Sequence, residues 1–309
     1  MTALRRQRFA LPTGVELDVT LGGNGGGGAD GDTGDPILFL HGFPESARTW
    51  RHQLADLATD HVVVAPDQRG FARSSKPRHV EDYATDLIVA DAIALADALG
   101  LARFTLVGHD WGGAAAWAVA LKHPDRVARL IIANAPHPLI FQKSLIDDPA
   151  QRAASQYMRA FRDPAIEART AEWGIEGFYA RSFEAHVPAG LVDADERAIY
   201  LDQWRQPGAL TAMLNWYRAS KIIVPAMGEE VERPAWIDQP FPKLAMPTLV
   251  IWGMQDKALL PCQLDGLDAL VPDLRIVAVE DAGHFVPWER PDAVTAAIRA
   301  FLAERARAD

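Results

Sequence analysis

Short, continuous apolar runs separated by longer stretches of helical periodicity dominate the chain as far as Ala133. Ile37-Leu38-Phe39-Leu40, Val62-Val63-Val64-Ala65, Phe104-Thr105-Leu106-Val107 and Leu130-Ile131-Ile132-Ala133 show almost no polar alternation. A strand buried on both faces needs none, so these four read as central strands of a parallel sheet. Between them, Glu45 to Ala58, Ala84 to Leu99 and Ala114 to Leu121 read as helices, with Gly100 placed to stop the second. Strand and helix alternating in this way predicts right-handed crossovers and helices on both faces of the sheet. Ahead of them, Phe9 to Val19 reads as one or two edge strands around a turn at Pro12-Thr13-Gly14.

The alternation stops after Asn134-Ala135-Pro136. Residues 137–242 read as helical and hold four of the five tyrosines. The strand–helix pattern resumes with a strand at Pro247 to Gly253, a helix around Leu264 to Leu270, a last strand at Leu274 to Val279 and a closing helix at Asp292 to Arg305. The expected architecture is therefore α/β, a mostly parallel sheet flanked by helices. Its core is residues 1–136 and 243–309, with a helical cap, 137–242, inserted after the sixth strand. The glycine run from Gly22 to Gly31 has no following Lys-Ser/Thr and opens no helix, so it reads as a flexible surface loop and not as a phosphate cradle.

Composition narrows the picture only a little. With 309 residues, 49% hydrophobic and 23% charged, the chain can bury a large core. A net charge of −10 argues against nucleic acid and against an anionic membrane surface as partners. No apolar run approaches the roughly 18 residues of a membrane span. The basic start, Met1 to Arg8, has no apolar segment behind it and does not read as a signal peptide. The one cysteine, Cys262, forms no internal disulfide and reads as a packing residue, which fits a reducing, cytoplasmic setting. There is no metal-ligand spacing and no nucleotide fingerprint, so no cofactor and no metal are expected.

Candidate chemistry centres on Gly108-His109-Asp110-Trp111-Gly112-Gly113, between a strand and a helix. So sharp a turn crowds its neighbours, and Gly108 and Gly112 stand where small residues relieve the crowding. This is a nucleophile elbow, but its apex is Asp110 where a serine is usual. A carboxylate is ionised at neutral pH and needs no base to attack a saturated carbon. The alkyl ester it forms must then be hydrolysed by activated water. The chain order nucleophile, acid, histidine is that of an α/β-hydrolase, which makes His284 the base and Asp256 the acid that fixes its tautomer. The backbone amides of Phe43 and Trp111 are placed to form an oxyanion hole. His41 and His109 read as structural neighbours, and Arg69 and Ser74 as braces of their loop.

His41-Gly42-Phe43-Pro44-Glu45-Ser46, the elbow, and Asn215-Trp216-Tyr217-Arg218 together resemble the α/β-hydrolase-fold epoxide hydrolases of the soluble type. The likeness runs over nearly the whole chain, apart from the glycine loop. It implies an epoxide and water as substrates, and two cap tyrosines that hydrogen-bond the epoxide oxygen. One match falls on Tyr217. The other falls on Tyr157, anchored only by the tyrosine and the following Phe161. Ring opening releases a basic alkoxide, and a phenol can donate a hydrogen bond and then a proton to it. Tyr179 and Tyr200 read as structural.

Two rival readings share the fold. A haloalkane or haloacid dehalogenase would use the same aspartate and histidine. Trp111 would suit halide, but Phe43 offers no second side-chain donor, and Trp111 and Ala114 stand where a fluoroacetate enzyme carries arginines. A non-catalytic small-molecule binder would need none of this machinery. The sequence leaves oligomeric state open, a homodimer included, and leaves open which epoxide is used.

Overall fold

Alternate residues of each apolar run face opposite sides of one sheet. The computed structural model describes residues 4–23, 35–188 and 190–304. The strands are β1 (Arg5–Ala10), β2 (Glu16–Gly22), β3 (Ile37–Leu40), β4 (Val63–Pro66), β5 (Phe104–His109), β6 (Val127–Ala133), β7 (Thr248–Gly253) and β8 (Leu274–Val279). They pair in the order β1-β2-β4-β3-β5-β6-β7-β8. Only β1 with β2 and β2 with β4 are antiparallel; the other pairs are parallel.

Leu38 and Leu40 of β3, with Val250 and Trp252 of β7, join one hydrophobic core, while Ile37, Phe39, Leu249 and Ile251 join the other. This is the period-two pleat with both faces buried, which is why these strands read as unbroken apolar runs. Helices α1 (Arg51–Leu57), α2 (Thr85–Ala98) and α3 (Asp110–Lys122) cross between the early strands. Between β6 and β7 stand α4 (Pro138–Asp147), α5 (Pro149–Ala154), α6 (Gln156–Arg162), α7 (Ile166–Ser182), α8 (Ala194–Trp204) and α9 (Ala209–Ala219). Helices α10 (Leu267–Leu270), α11 (Val286–Glu289) and α12 (Pro291–Ala303) complete the chain. None of the described helices is long and apolar enough to cross a membrane.

Three boundaries differ from expectation, each for a local reason. The helix expected from Glu45 begins as a 3-10 turn, Ala47–Trp50, and becomes α-helical only at Arg51. Glu45 stays outside it because its carboxylate is engaged by the Trp288 indole at 2.8 Å and the Tyr200 hydroxyl at 3.1 Å. The helical pattern expected through Pro242 stops at Ala219. Beyond it Pro225, Pro234, Pro240 and Pro242 each lack an amide donor, and only a 3-10 turn, Ala235–Asp238, forms. The helix expected over Leu264 to Leu270 is cut to α10 by Gly266, whose φ is +78°. The glycine run lies outside the described residues beyond Gly23, as do Met1 to Ala3 and the expected last helical residue, Arg305.

Two indoles pin the insertion to the loops above the sheet. Trp204 donates to the Pro44 carbonyl at 2.8 Å, and Trp216 to the Arg69 carbonyl at 2.9 Å. Arg69 is itself held by a paired contact to Asp91, both bonds at 2.7 Å. The segment carrying Tyr217 is thereby fixed against the loops after β3 and β4.

Candidate active site

Asp110 sits where β5 turns into α3, with a φ of +50°. A non-glycine residue rarely adopts this region, and holding it there costs of order 1 kcal/mol or more. The surroundings enforce it. A Cβ on Gly108 would lie 2.5 Å from the Gly112 carbonyl oxygen, and one on Gly112 would lie 2.3 Å from that of Leu40. The two small residues foreseen around the apex are thus needed by close backbone approach. The Asp110 carboxylate is about nine-tenths buried, and its Oδ1 accepts from the Phe43 amide at 2.7 Å. Trp111, next in the chain, occupies the first turn of α3, where an amide has no acceptor within its helix.

His284 follows β8 and faces the other carboxylate oxygen, with Nε2 3.6 Å from Asp110 Oδ2. Its Nδ1 lies 2.7 Å from Asp256 Oδ2. Asp256, after β7, also accepts at Oδ1 from the amides of Ala258 at 2.8 Å and Leu259 at 3.0 Å. Burial opposes its charge, but His284, the Leu259 amide and the Asn134 side chain together hold its pKa below the ordinary carboxylate value. Burial likewise opposes a charged imidazole, yet the carboxylates of Asp256 and Asp110 outweigh it and raise His284 well above its ordinary value. The resting site therefore favours an imidazolium between two carboxylates.

Tyr217, on α9, is buried, and its ring meets those of Phe43 and Trp111 edge-on, each at 5.0 Å between centroids. Tyr157, on α6, has its ring 6.1 Å from that of Tyr217. Both phenols are pushed well above their ordinary pKa. Burial is the main cause, helped for Tyr157 by Asp110 and Asp256, and for Tyr217 by Tyr157 and Asp110 against the Trp111 indole. Both remain protonated donors at neutral pH. Cavities of about 470 and 480 Å³ open on either side, and both tyrosines and Asp110 stand in the walls of each.

The structure thus brings together Phe43, Asp110, Trp111, Tyr157, Tyr217, Asp256 and His284. Sequence reasoning missed three buried polar residues that hold them. Asn134, at the end of β6, donates to Asp256 Oδ2 at 2.8 Å and accepts from the Gly253 amide at 2.7 Å. Glu289 accepts from the amides of Gly283 and Phe285, both at 2.8 Å, and so clamps the loop that carries His284. Glu45 ties the oxyanion loop to Trp288 and Tyr200, and its Oε2 lies 3.5 Å from His109 Nδ1. His109 Nε2 in turn lies 2.8 Å from the carbonyl of His284. The one signal available was position, since Asn134 stands at the carboxyl end of a predicted strand. His41 bridges its own loop and the next, with Nδ1 donating to the Gly42 carbonyl and Nε2 accepting from the Gln68 amide, each at 2.9 Å. Burial lowers its pKa, which suits this neutral role. Burial also pushes the Cys262 thiol up to about 11, as befits an unreactive packing residue.

Comparison with known proteins agrees with this fold. Residues 35–291 match the α/β-hydrolase fold family. The chain is 34% identical to Epoxide hydrolase 3 of Xenopus tropicalis over 291 residues, covering 89% of this chain and 74% of that one. It is 32% identical to the AB hydrolase superfamily protein YfhM of Bacillus subtilis, covering 96% and 97% respectively. Among solved structures, an epoxide hydrolase of the α/β-hydrolase superfamily from metagenomes of hot environments superposes with a TM-score of 0.88 at 49% identity, over 98% of this chain and 100% of that one. Sheet order, elbow and sequence likeness converge, and the chain belongs to the epoxide hydrolases of the α/β-hydrolase fold.

Proposed function

We propose that this enzyme opens an epoxide to a vicinal diol in two steps, through an alkyl ester on Asp110. Oδ1 stays with the Phe43 amide, and Oδ2 attacks an epoxide carbon as the ring C–O bond breaks. Tyr157 and Tyr217 hydrogen-bond the departing oxygen and supply its proton. Their raised pKa values leave them protonated, and an alkoxide is still the stronger base. Alkylation removes the Asp110 charge that helped to hold the proton on His284. The imidazolium then gives up its proton, which replaces the one the tyrosines lost, and the neutral imidazole takes a proton from water, while Asp256 holds its tautomer. That water attacks the carboxyl carbon, and the amides of Phe43 and Trp111 receive the oxyanion on Oδ1. Collapse releases the diol with the former Oδ2 and leaves the water oxygen in Asp110. Residues 137–242 act as the cap that carries the tyrosines, and a reducing, cytoplasmic setting belongs to the same reading.

The observation that carries this reading is a buried carboxylate at the elbow apex, with two protonated phenols on one side and a His–Asp pair on the other. A hydroxyl nucleophile would need the histidine for the first step; a carboxylate reserves it for the second. The test is a single turnover in H₂¹⁸O with enzyme in excess. The first diol should be unlabelled and the peptide containing Asp110 labelled. A labelled first diol with unlabelled Asp110 would mean direct attack by water and would remove Asp110 as nucleophile.

A further inference from the structure

The two cavities that meet at the nucleophile end in different chemistry. The first runs outward from Asp110 and His284 past the buried Phe178 to Arg169, Trp173, Arg181 and Lys257, all four exposed. Among the described residues in its wall, Asp110 on the floor is the one acid. The second is walled mainly by apolar side chains, among them Trp111, Phe141, Met158, Ile222 and Leu259; its cations are Lys221 and Lys122, the latter paired with Asp86.

Three cations around one mouth run against the composition of a chain with a net charge of −10. Their contacts leave charge to spare. Arg181 lies over the Trp173 ring, 4.7 Å from its centroid, and donates one bond to the Gly177 carbonyl at 3.2 Å. Neither Arg181 nor Lys257 has a carboxylate partner among the described residues. Arg169 is paired with Asp163 at 3.3 Å. The stacking holds the guanidinium at the mouth without using most of its five donors. Unneutralised cations beside a low-dielectric cavity concentrate anions there.

We propose that the preferred substrate is an epoxide with one substituent ending in an anionic group, a carboxylate seated between Arg181 and Lys257, while the hydrocarbon between it and the epoxide lies along the first cavity past Phe178. This rests on the reading of Asp110 as nucleophile. Arg181 and Lys257 would act through binding alone, so their effect belongs in KM.

The test compares the full-length enzyme on 10,11-epoxyundecanoate, on its methyl ester and on glycidyl phenyl ether. The acid should be favoured over the ester by about 3–10-fold in kcat/KM at low salt, the size expected of solvent-exposed charge contacts. The preference should shrink at roughly 0.5 M salt. R181Q and K257Q should each reduce the acid-to-ester ratio about threefold, through KM. No acid preference, or a ratio unmoved by both variants, would overturn the anion site while turnover of glycidyl phenyl ether left the nucleophile standing. A loss confined to K221Q, at the rim of the second cavity, would place the anion there and also overturn the assignment. No turnover of any of the three would instead remove the reading on which the proposal rests.

Discussion

Replacing Asn134 by alanine should separate the two steps of the reaction. Asn134 is fully buried and touches no substrate-facing atom of the nucleophile. Its side chain donates to Asp256 Oδ2 at 2.8 Å and to the Gly253 carbonyl at 3.3 Å, and accepts from the Gly253 amide at 2.7 Å. A hydrogen bond to a charged group contributes about 1.5–3 kcal/mol, and an orphaned buried amide costs about 1–3 kcal/mol. Asn134 also holds a φ of +36°, which alanine tolerates less well, at about 1 kcal/mol. These costs are not additive, because water can enter the vacated space, so about 3 kcal/mol is the expected loss of stability. For a domain of this size that lowers Tm by roughly 4–5 °C. Asp256 would keep His284 and two amides as partners but lose the donor that shares Oδ2 with the imidazole. Loosening of this kind costs on the order of 10²-fold when it misplaces a catalytic group by about 1 Å. Ester hydrolysis should therefore slow by roughly 10–100-fold, while alkylation, which needs Asp110 and the tyrosines, stays within about twofold. Stopped-flow tryptophan fluorescence under single-turnover conditions resolves the two rates, and differential scanning calorimetry gives the Tm. Equal slowing of both steps, or a lower Tm with both rates intact, would refute a role for Asn134 in holding the Asp256–His284 pair.

Other expectations follow from the same geometry. His284→Gln should accumulate the alkyl ester, seen as a one-substrate mass adduct on the intact protein, and Asp110→Ala should abolish adduct and turnover alike. Tyr217→Phe and Tyr157→Phe should each slow alkylation by up to about 10²–10⁴-fold, with the double variant slower than either; unchanged pre-steady-state alkylation in all three would sink the tyrosine assignment. The Asp256–His284 pair gives a pH signature. The raised His284 contributes stability that is full below its ordinary value of 6.5 and fades as pH rises through its folded value. The lowered Asp256 contributes stability that is present above its ordinary 3.8 and is lost as pH falls through its folded value. Denaturant midpoints of the native protein and of a D256N/H284Q double variant should thus differ most between about pH 4 and 6.5 and converge on both sides.

The parallel sheet was legible because burial on both faces removes polar alternation, so Ile37 to Leu40 could hardly be anything else. Asp110 was legible because close packing at an elbow constrains its neighbours, and glycine at two fixed offsets records that constraint in sequence. Glu45, Asn134 and Glu289 leave no such mark. Each is a common polar residue whose partner is set by tertiary placement, and each would be unremarkable on a surface. The stretch after Ala219 departs from the helical reading because Pro225, Pro234, Pro240 and Pro242 each remove an amide donor. Tyr157 sits between these cases, since its neighbours fix the helix but not which side chains reach the nucleophile.

The order of strands across the sheet has a consequence for biosynthesis. Asp110 follows β5, in the middle of the sheet, whereas its proposed base, His284, follows β8 at the far edge and is synthesised well after it. The loop bearing His284 docks onto residues made much earlier, with the Gln53 side chain donating to the Pro287 carbonyl at 2.8 Å and Trp288 donating to Glu45. A nascent chain that has closed the elbow and the helical insertion, but has not yet added β8, already holds the carboxylate and the phenols. On the proposed mechanism, such a chain would carry the nucleophile for alkylation but lack the base that releases the ester. On that mechanism, pairing of β8 with β7 is the step that adds turnover to a single alkylation.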